Sequence, residues 1–451
     1  MTNKIKKSGY VVAIVGRPNV GKSTLFNRII GQNRAILSHL PGTTRDILYE
    51  RVIWNSLEFT LADTAGIEGD TKSILEKDIF LQTQAAIVGA DLIIFMADVR
   101  TGRQIEDLKA AELIRKLSKP VVLAINKAEG KQYDAIIHEF YKLGLGEPIP
   151  ISALTGRGIG DILDNIVQQL EQQPQKSIEE TQDDKKIIKV AIMGRPNTGK
   201  STLFNQLAKR KLSLVGAIPG TTRDIIKTSV DTGDFKIELT DTAGLRRRGK
   251  IDKGIEKFSS LLVIKAVQEA DIVLLVIDAE EGILAQDLHI AQIIETEHKG
   301  CLLVVNKWDA IEKNPNITAE YDKYIKHKFI FLPWLPAVYI SALTGQRVDK
   351  ITTEILKIWE SLNTKIPSKT LNNIIGDAYA KHSPKGRRKP PKIYFTSQVA
   401  VNPPTFKLKV NFPEELHFSY LRYLEKAIRA RYPLVGTPMK WEIIKSSSAD
   451  R

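Results

Sequence analysis

Gly16-Arg17-Pro18-Asn19-Val20-Gly21-Lys22-Ser23 returns 178 positions later as Gly194-Arg195-Pro196-Asn197-Thr198-Gly199-Lys200-Ser201. Each octet follows a stretch read as a strand, Tyr10 to Val15 and Ile188 to Met193, and precedes an amphipathic stretch, Leu25-Phe26 with Ile29 and Leu203-Phe204 with Leu207. A glycine loop between a strand and a helix aims backbone N–H groups at phosphate, and the helix N-terminus adds its partial positive charge. Gly16, Gly21, Gly194 and Gly199 let the backbone approach without a Cβ. Lys22 and Lys200 supply charge to β- and γ-phosphates, and the Ser23 and Ser201 hydroxyls are the expected Mg²⁺ ligands.

The repeat extends outward from these loops. Pro41-Gly-Thr-Thr-Arg-Asp46 matches Pro219-Gly-Thr-Thr-Arg-Asp224 at the same offset. Asp63-Thr64-Ala65-Gly66 matches Asp241-Thr242-Ala243-Gly244, again 178 positions on. Ser152-Ala153 matches Ser341-Ala342 at 189, which places an insertion late in the second copy, near the loop from Pro333 to Pro336. Two long copies are a domain duplication rather than a solenoid. Runs such as Leu92 to Ala97, Val121 to Ile125 and Ile272 to Ile277 are apolar on both faces. They read as buried parallel strands between crossover helices, an α/β class.

Asp63 and Asp241 end alternating strands, which places a carboxylate where it can hold Mg²⁺. Gly66 and Gly244 can turn an N–H toward a γ-phosphate. Thr44 and Thr222 can complete the Mg²⁺ shell only while that phosphate is present, which makes a switch. Base choice falls to Asn306-Lys307-Trp308-Asp309, whose carboxylate can accept two N–H bonds from guanine that adenine cannot offer. Ser341-Ala342 adds a backbone N–H to the guanine oxygen.

Beyond the second copy the composition changes. The net charge of the 451-residue chain is +14, and Thr364 to Arg451 holds 17 Lys and Arg against 6 Asp and Glu. A basic excess confined to one region suggests a polyanionic partner. Ile393 to Ser397 and Phe406 to Val410 read as strands. Phe418 to Arg431 reads as a helix with Leu421, Leu424 and Ile428 on one stripe and Arg422, Lys426 and Arg429 on another. Together they suggest a small α+β module. Lys385 to Lys389 is a phosphate-contacting candidate, and of Tyr394 and Phe395 one can stack on bases while strand alternation assigns the other to the core. No Gly-x-x-Gly loop occurs between Thr364 and Arg451. Cys301, the one cysteine, reads as a small buried strand residue, so an intrachain disulfide is excluded. No run approaches the roughly 18 apolar residues of a membrane span, and the apolar run after Lys4, Lys6 and Lys7 is too short for a cleavable signal. A cytoplasmic protein is expected.

These motifs resemble the Der (EngA) family of bacterial ribosome-assembly GTPases over nearly the whole chain. The resemblance implies two P-loop GTPase domains, each a mainly parallel sheet with flanking helices, and a C-terminal α+β KH-like domain. The expected boundaries are 1–171 and 187–362 for the G domains, 172–186 for an acidic linker, 363–446 for the basic domain and 447–451 for a tail. In the family, the segments matching Gly16 to Ser23, Asp63 to Ile67, Asn126 to Glu129, Gly194 to Ser201, Asp241 to Leu245 and Asn306 to Asp309 bind GTP or GDP.

The first base-reading motif, Asn126-Lys127-Ala128-Glu129, departs from the family pattern by carrying glutamate for aspartate. An added methylene shifts a carboxylate by about 1 to 1.5 Å, where productive sites tolerate roughly 0.5 Å. The first domain is therefore expected to bind GDP more weakly than the second. Ile67 and Leu245 cannot polarise water, and the resemblance implies a K⁺ ion held partly by Asn19 and Asn197 in the place of an arginine finger. The implied partners are the large ribosomal subunit and its rRNA, with no DNA, no integral membrane association and a monomeric chain. Arg246 to Arg248 could meet rRNA, another domain or solvent. A GTP-gated scaffold stays open as an alternative. A role in tRNA modification or at a membrane has no cysteine cluster or amphipathic anchor to support it.

Overall fold

Two apolar strands flanked by further apolar strands require cover on both faces, and each copy obtains it from helices. The computed structural model describes residues 6–32, 48–64, 87–130, 133–173, 186–209, 227–232, 235–241, 260–312, 314–384 and 390–446. Contacts divide the chain into two units, one around the first sheet and one holding the second sheet with the C-terminal elements.

In the first unit, β1 (Lys6–Gly16), β2 (Leu48–Trp54), β3 (Leu57–Asp63), β4 (Leu92–Asp98), β5 (Val121–Asn126) and β6 (Pro148–Pro150) form one sheet in the order β2-β3-β1-β4-β5-β6. Only the β2–β3 pair is antiparallel. Every residue of β4 is buried, as a central strand covered on both faces must be. Helix α1 (Lys22–Gln32) buries Leu25, Phe26 and Ile29 in the core, and α2 (Ile105–Lys116) follows β4. Helix α3 (Ile159–Gln172) buries Ile159, Ile162, Leu163, Ile166, Val167 and Leu170, a stripe at i, i+3, i+4, i+7 spacing.

The second unit repeats this order with β7 (Lys186–Met193), β8 (Lys227–Asp231), β9 (Phe235–Asp241), β10 (Ile272–Asp278), β11 (Gly300–Asn306) and β12 (Ala337–Tyr339). Its helices include α4 (Lys200–Lys209), α5 (Ala285–Thr296), α6 (Ile317–Lys328) and α7 (Asp349–Leu362). The insertion falls mostly in the loops on either side of α6, because that 12-residue helix is matched by a four-residue helix Asp134–Ile137 followed by a six-residue 3-10 stretch in the first copy. Cys301 is fully buried in β11 as expected.

The C-terminal elements are α8 (Ser368–Lys381), β13 (Ile393–Ala400), β14 (Thr405–Val410), α9 (Phe418–Arg431) and β15 (Lys440–Lys445). Strand β14 lies between β13, antiparallel to it, and β15, parallel to it. Leu424 and Ile428 of α9 are buried with Tyr420, while Leu421 packs at the margin. Two expectations are corrected. Neither Tyr394 nor Phe395 is core, because β13 is an edge strand whose buried residue is Thr396, and Phe395 is 44% exposed. Arg429 does not join Arg422 and Lys426 on the exposed face of α9. It turns inward, donating to Leu434 O at 2.9 Å and Thr437 O at 2.8 Å. No helix among the described residues is long and apolar enough to cross a membrane.

Candidate nucleotide-binding sites

Strands β1 and β7 each stand where the strand order reverses, and the glycine loops leave their carboxyl ends, the usual ligand crevice of an open α/β sheet. A Cβ on Gly16 would lie 2.4 Å from Met96 O, and one on Gly194 2.2 Å from Val276 O. The neighbouring strand leaves room for glycine alone. Asn19 and Asn197 take left-handed φ values of 64° and 63°, so both loops wind the same way. The Lys22 ammonium donates to Gly16 O at 2.9 Å and Arg17 O at 3.0 Å, and that of Lys200 donates to Arg195 O. Both lysines are thereby folded over their loops. Ser23 and Ser201 follow in the first helical turns, whose opening bonds run from Leu25 N to Gly21 O and from Leu203 N to Gly199 O, each 2.9 Å.

One asparagine ties three loops in each copy. Asn126 Nδ2 donates to Val20 O at 2.7 Å, while its Oδ1 accepts from Ala153 N at 2.9 Å. Asn306 repeats this with Thr198 O and Ala342 N, both at 2.8 Å. Glycine loop, base-reading motif and Ser-Ala motif are so joined through one buried amide. A Cβ on Gly21 or Gly199 would fall 2.4 or 2.2 Å from the same Nδ2. Lys127 bonds Asp98 at 2.5 Å and Asn19 O at 3.0 Å, and Lys307 bonds Asp278 at 2.5 Å. The hydrogen bond that Lys307 donates to the Asp278 carboxylate raises the lysine pKa above its ordinary value.

The side chains of the loop arginines are taken up by carboxylates of the same unit. Arg17 Nε donates to Asp107 at 2.8 Å, and Arg195 Nε to Asp287 at 2.8 Å, with Glu281 at 2.6 Å on another nitrogen. Asp107 and Asp287 also accept from Gln104 N and Leu284 N, capping α2 and α5. Sequence reasoning passed over Asp98, Asp278, Asp107 and Asp287. Each recurs in the second copy, but a carboxylate that braces a loop carries no motif of its own.

Asp63 is fully buried at the end of β3, in register with Ile14, and Asp241 is in register with Ile192. Each thus stands two positions from the glycine that opens its loop. In the first copy, a hydroxyl at the helix start and a carboxylate at the adjacent strand end fit a Mg²⁺ ion that takes its other ligands from phosphate and water. Thr64 Oγ1 donates to Ile14 O at 2.7 Å, fixing the strand end. Thr44, Ala65, Gly66, Ile67, Thr222, Thr242, Ala243, Gly244, Leu245, the triplet from Arg246 and the run from Lys385 lie outside the described residues.

The base-reading ends differ. Ala128 N and Trp308 N donate to Ile151 O and Ile340 O at 3.0 Å, which holds both motifs alike. The Trp308 ring is buried against Tyr321 and Tyr339, so the side chain is structural. Glu129 accepts from Arg100 at 2.8 Å and from Ser152 Oγ at 3.0 Å. Partial burial pushes its pKa up, but those two hydrogen bonds outweigh this and hold it below the ordinary glutamate value.

Comparison with known proteins agrees with this geometry. The family described as "50S ribosome-binding GTPase" matches residues 11–127 and 189–307, and that described as "KH-domain-like of EngA bacterial GTPase enzymes, C-terminal" matches 365–443. The GTPase Der of Caldanaerobacter subterraneus subsp. tengcongensis is 45% identical over 433 residues, covering 95% of this chain and 97% of that one. Those of Chloroflexus aggregans and Brevibacillus brevis are 44% and 43% identical, each over 95% of this chain and 96% and 98% of their own. With two P-loop sheets built alike, a KH-like end and relatives matched along almost their entire length, the chain belongs to the Der (EngA) family of GTPases.

Proposed function

We propose that both sites bind GTP with Mg²⁺, hydrolyse it to GDP, and use the change to control docking on the rRNA of the large ribosomal subunit during its biogenesis. The observation that carries this is the doubled asparagine tie, which fixes phosphate loop and base reader as one piece in each copy. Gly16 to Ser23 and Gly194 to Ser201 cradle the phosphates. Ser23, Thr44 and Asp63, with Ser201, Thr222 and Asp241, hold Mg²⁺. Gly66 and Gly244 donate to the γ-phosphate, and the acids Glu129 and Asp309 read guanine, while the Ala153 and Ala342 N–H groups expected to meet the guanine oxygen are instead held by Asn126 and Asn306 Oδ1, so that the Ser-Ala loops brace the readers.

When bound, Mg²⁺ and K⁺ would supply positive charge to the phosphoryl oxygens. Lys22 and Lys200 add to that charge, and the exposed amides of Asn19 and Asn197 suit them to hold K⁺. The basic C-terminal region meets rRNA, in keeping with the ribosome-binding description of the matched family. The G domains span 1–171 and 187–362, the KH-like domain 363–446, and the protein works as a cytoplasmic monomer.

Co-sedimentation with large ribosomal subunits tests the reading. Retention with a nonhydrolysable GTP analogue and loss with GDP are expected, and equal pelleting in both states would refute nucleotide control. Single-turnover hydrolysis should fall about tenfold or more when Na⁺ replaces K⁺. Equal rates in the two salts would remove the ion from the mechanism.

A further inference from the structure

The first site holds its base-reading acid from two sides. Arg100 Nη2 donates to Glu129 Oε2 at 2.8 Å, and Ser152 Oγ donates to Oε1 at 3.0 Å. Arg100 stands two residues past Asp98, which pairs in register with Asn126, and its own N–H donates to Asp98 Oδ1 at 2.9 Å. The second domain builds the same turn. Asp278 is in register with Asn306, and Glu280 N donates to Asp278 Oδ1 at 2.9 Å. At this shared position one domain carries a guanidinium and the other a carboxylate. Two differences therefore occur together: a long acid, Glu129, beside a cation, and a short acid, Asp309, in the domain that places Glu280 there.

A glutamate has one more rotatable bond than an aspartate, so its carboxylate samples more positions and reaches further. A planar guanidinium on one oxygen and a hydroxyl on the other restrict both. Each carboxylate oxygen has two acceptor positions, so these bonds leave capacity for a base. The pair is part-exposed, with 55% of the Arg100 side chain and 32% of that of Glu129 accessible. Its contribution to fold stability is therefore small, and its effect lies in where the carboxylate sits.

We infer that Arg100 is a positioning residue for base specificity in the first site, setting the longer acid Glu129 against the N1–H and 2-amino edge of guanine. This rests on the proposed assignment of that site to guanine nucleotides. The second site, with Asp309, has no such requirement.

The test uses the full-length chain with Lys200→Ala, which removes the second site's grip on phosphate, titrated with GDP and with IDP, which lacks the 2-amino group. Arg100→Ala should weaken GDP binding about tenfold and reduce the preference for GDP over IDP at least about threefold. In a Glu129→Asp background, where the shortened acid no longer reaches the guanidinium, Arg100→Ala should change GDP affinity by less than about twofold. Equal losses for GDP and IDP would overturn the inference and leave Arg100 a general electrostatic or structural residue. Tighter GDP binding would overturn it too, making Arg100 a competitor for the carboxylate. If the Lys200→Ala parent binds no GDP, the site assignment itself fails, and the inference with it.

Discussion

Asn306 satisfies a carbonyl of the phosphate loop and an N–H of the Ser-Ala loop with one side chain. Asn306→Ala would leave Thr198 O and Ala342 N without that partner inside a buried site. At about 1 to 3 kcal/mol for each unsatisfied group, the second unit should lose roughly 2 to 6 kcal/mol. Thermal unfolding should show a lowered transition, and GDP calorimetry on the full chain should count one site instead of two. A fully retained second site would show that the tie is dispensable. The residues of this tie were legible in the sequence because repetition pins them: Gly21 and Gly199, Asn126 and Asn306, Ala153 and Ala342 recur in step. Their wiring was not. Nothing in the spacing of Arg17 and Asp107, 90 residues apart, says that the arginine braces a helix rather than a phosphate. The Arg100–Glu129 pair was equally hidden, since the sequence shows the departure at Glu129 but not the cation beside it.

Between elements, the last turn of α5 carries a carboxyl in an unusual place. Burial pushes the Glu295 pKa up to about 7, with Arg422 opposing the shift and Glu425 adding to it, both from α9. Glu425 is itself raised by burial, against the hydrogen bond from Trp441 Nε1 at 3.0 Å and the charges of Arg429 and Arg422. Because the folded value of Glu295 exceeds its ordinary 4.5, its contribution is fully present below about pH 4.5 and is lost as pH rises through about 7. Glu295→Gln should match the parent near pH 4.5 and exceed it by on the order of 1 to 3 kcal/mol at pH 8. Parallel denaturant titrations at the two pH values check this, and an equal difference at both would discard the assignment.

The turn at Gly436 is a second test between elements. Its O accepts from Cys301 N, and its N–H donates to Trp334 O, each at 2.9 Å. At φ 63°, an added Cβ would meet Ile358 at 2.5 Å and Cys301 O at 2.9 Å. Gly436→Ala should cost about 1 to 3 kcal/mol in the same unfolding assay. Strands β13 and β14 and helix α9 were readable from their apolar periods. Helix α8 was not among the readable elements, because Asn372, Asn373 and Gly376 dilute its helical signal. It forms because Leu371, Ile374, Ile375 and Ala378 bury one face. Strand β15 is six residues long and gains its place from pairing with β14.

Across the molecule, duplication made the architecture readable, since each apolar run in one copy vouches for its counterpart. The same strand order in both sheets follows from it. What duplication cannot reveal is what a diverged position touches, as with Arg100 beside the acid at position 129. The charge of the last region belongs to this scale as well. Arg422 and Lys426 remain exposed on α9. Replacing both by alanine should weaken rRNA binding about equally across sequences and reduce the slope of log affinity against log salt by about 2. Titrations between 50 and 200 mM salt give the slope, and an unchanged value would move the contact to another face.

Because the Asn126 and Asn306 amides occupy the space next to Gly21 and Gly199, neither jaw of either pocket can slide without the other. Under the proposed function, each pocket would gauge the span from heterocycle to polyphosphate as a caliper of set opening does. Analogues with lengthened or shortened sugar linkers should lose affinity far more steeply than their lost contacts alone would cause, because the protein offers no compensating adjustment.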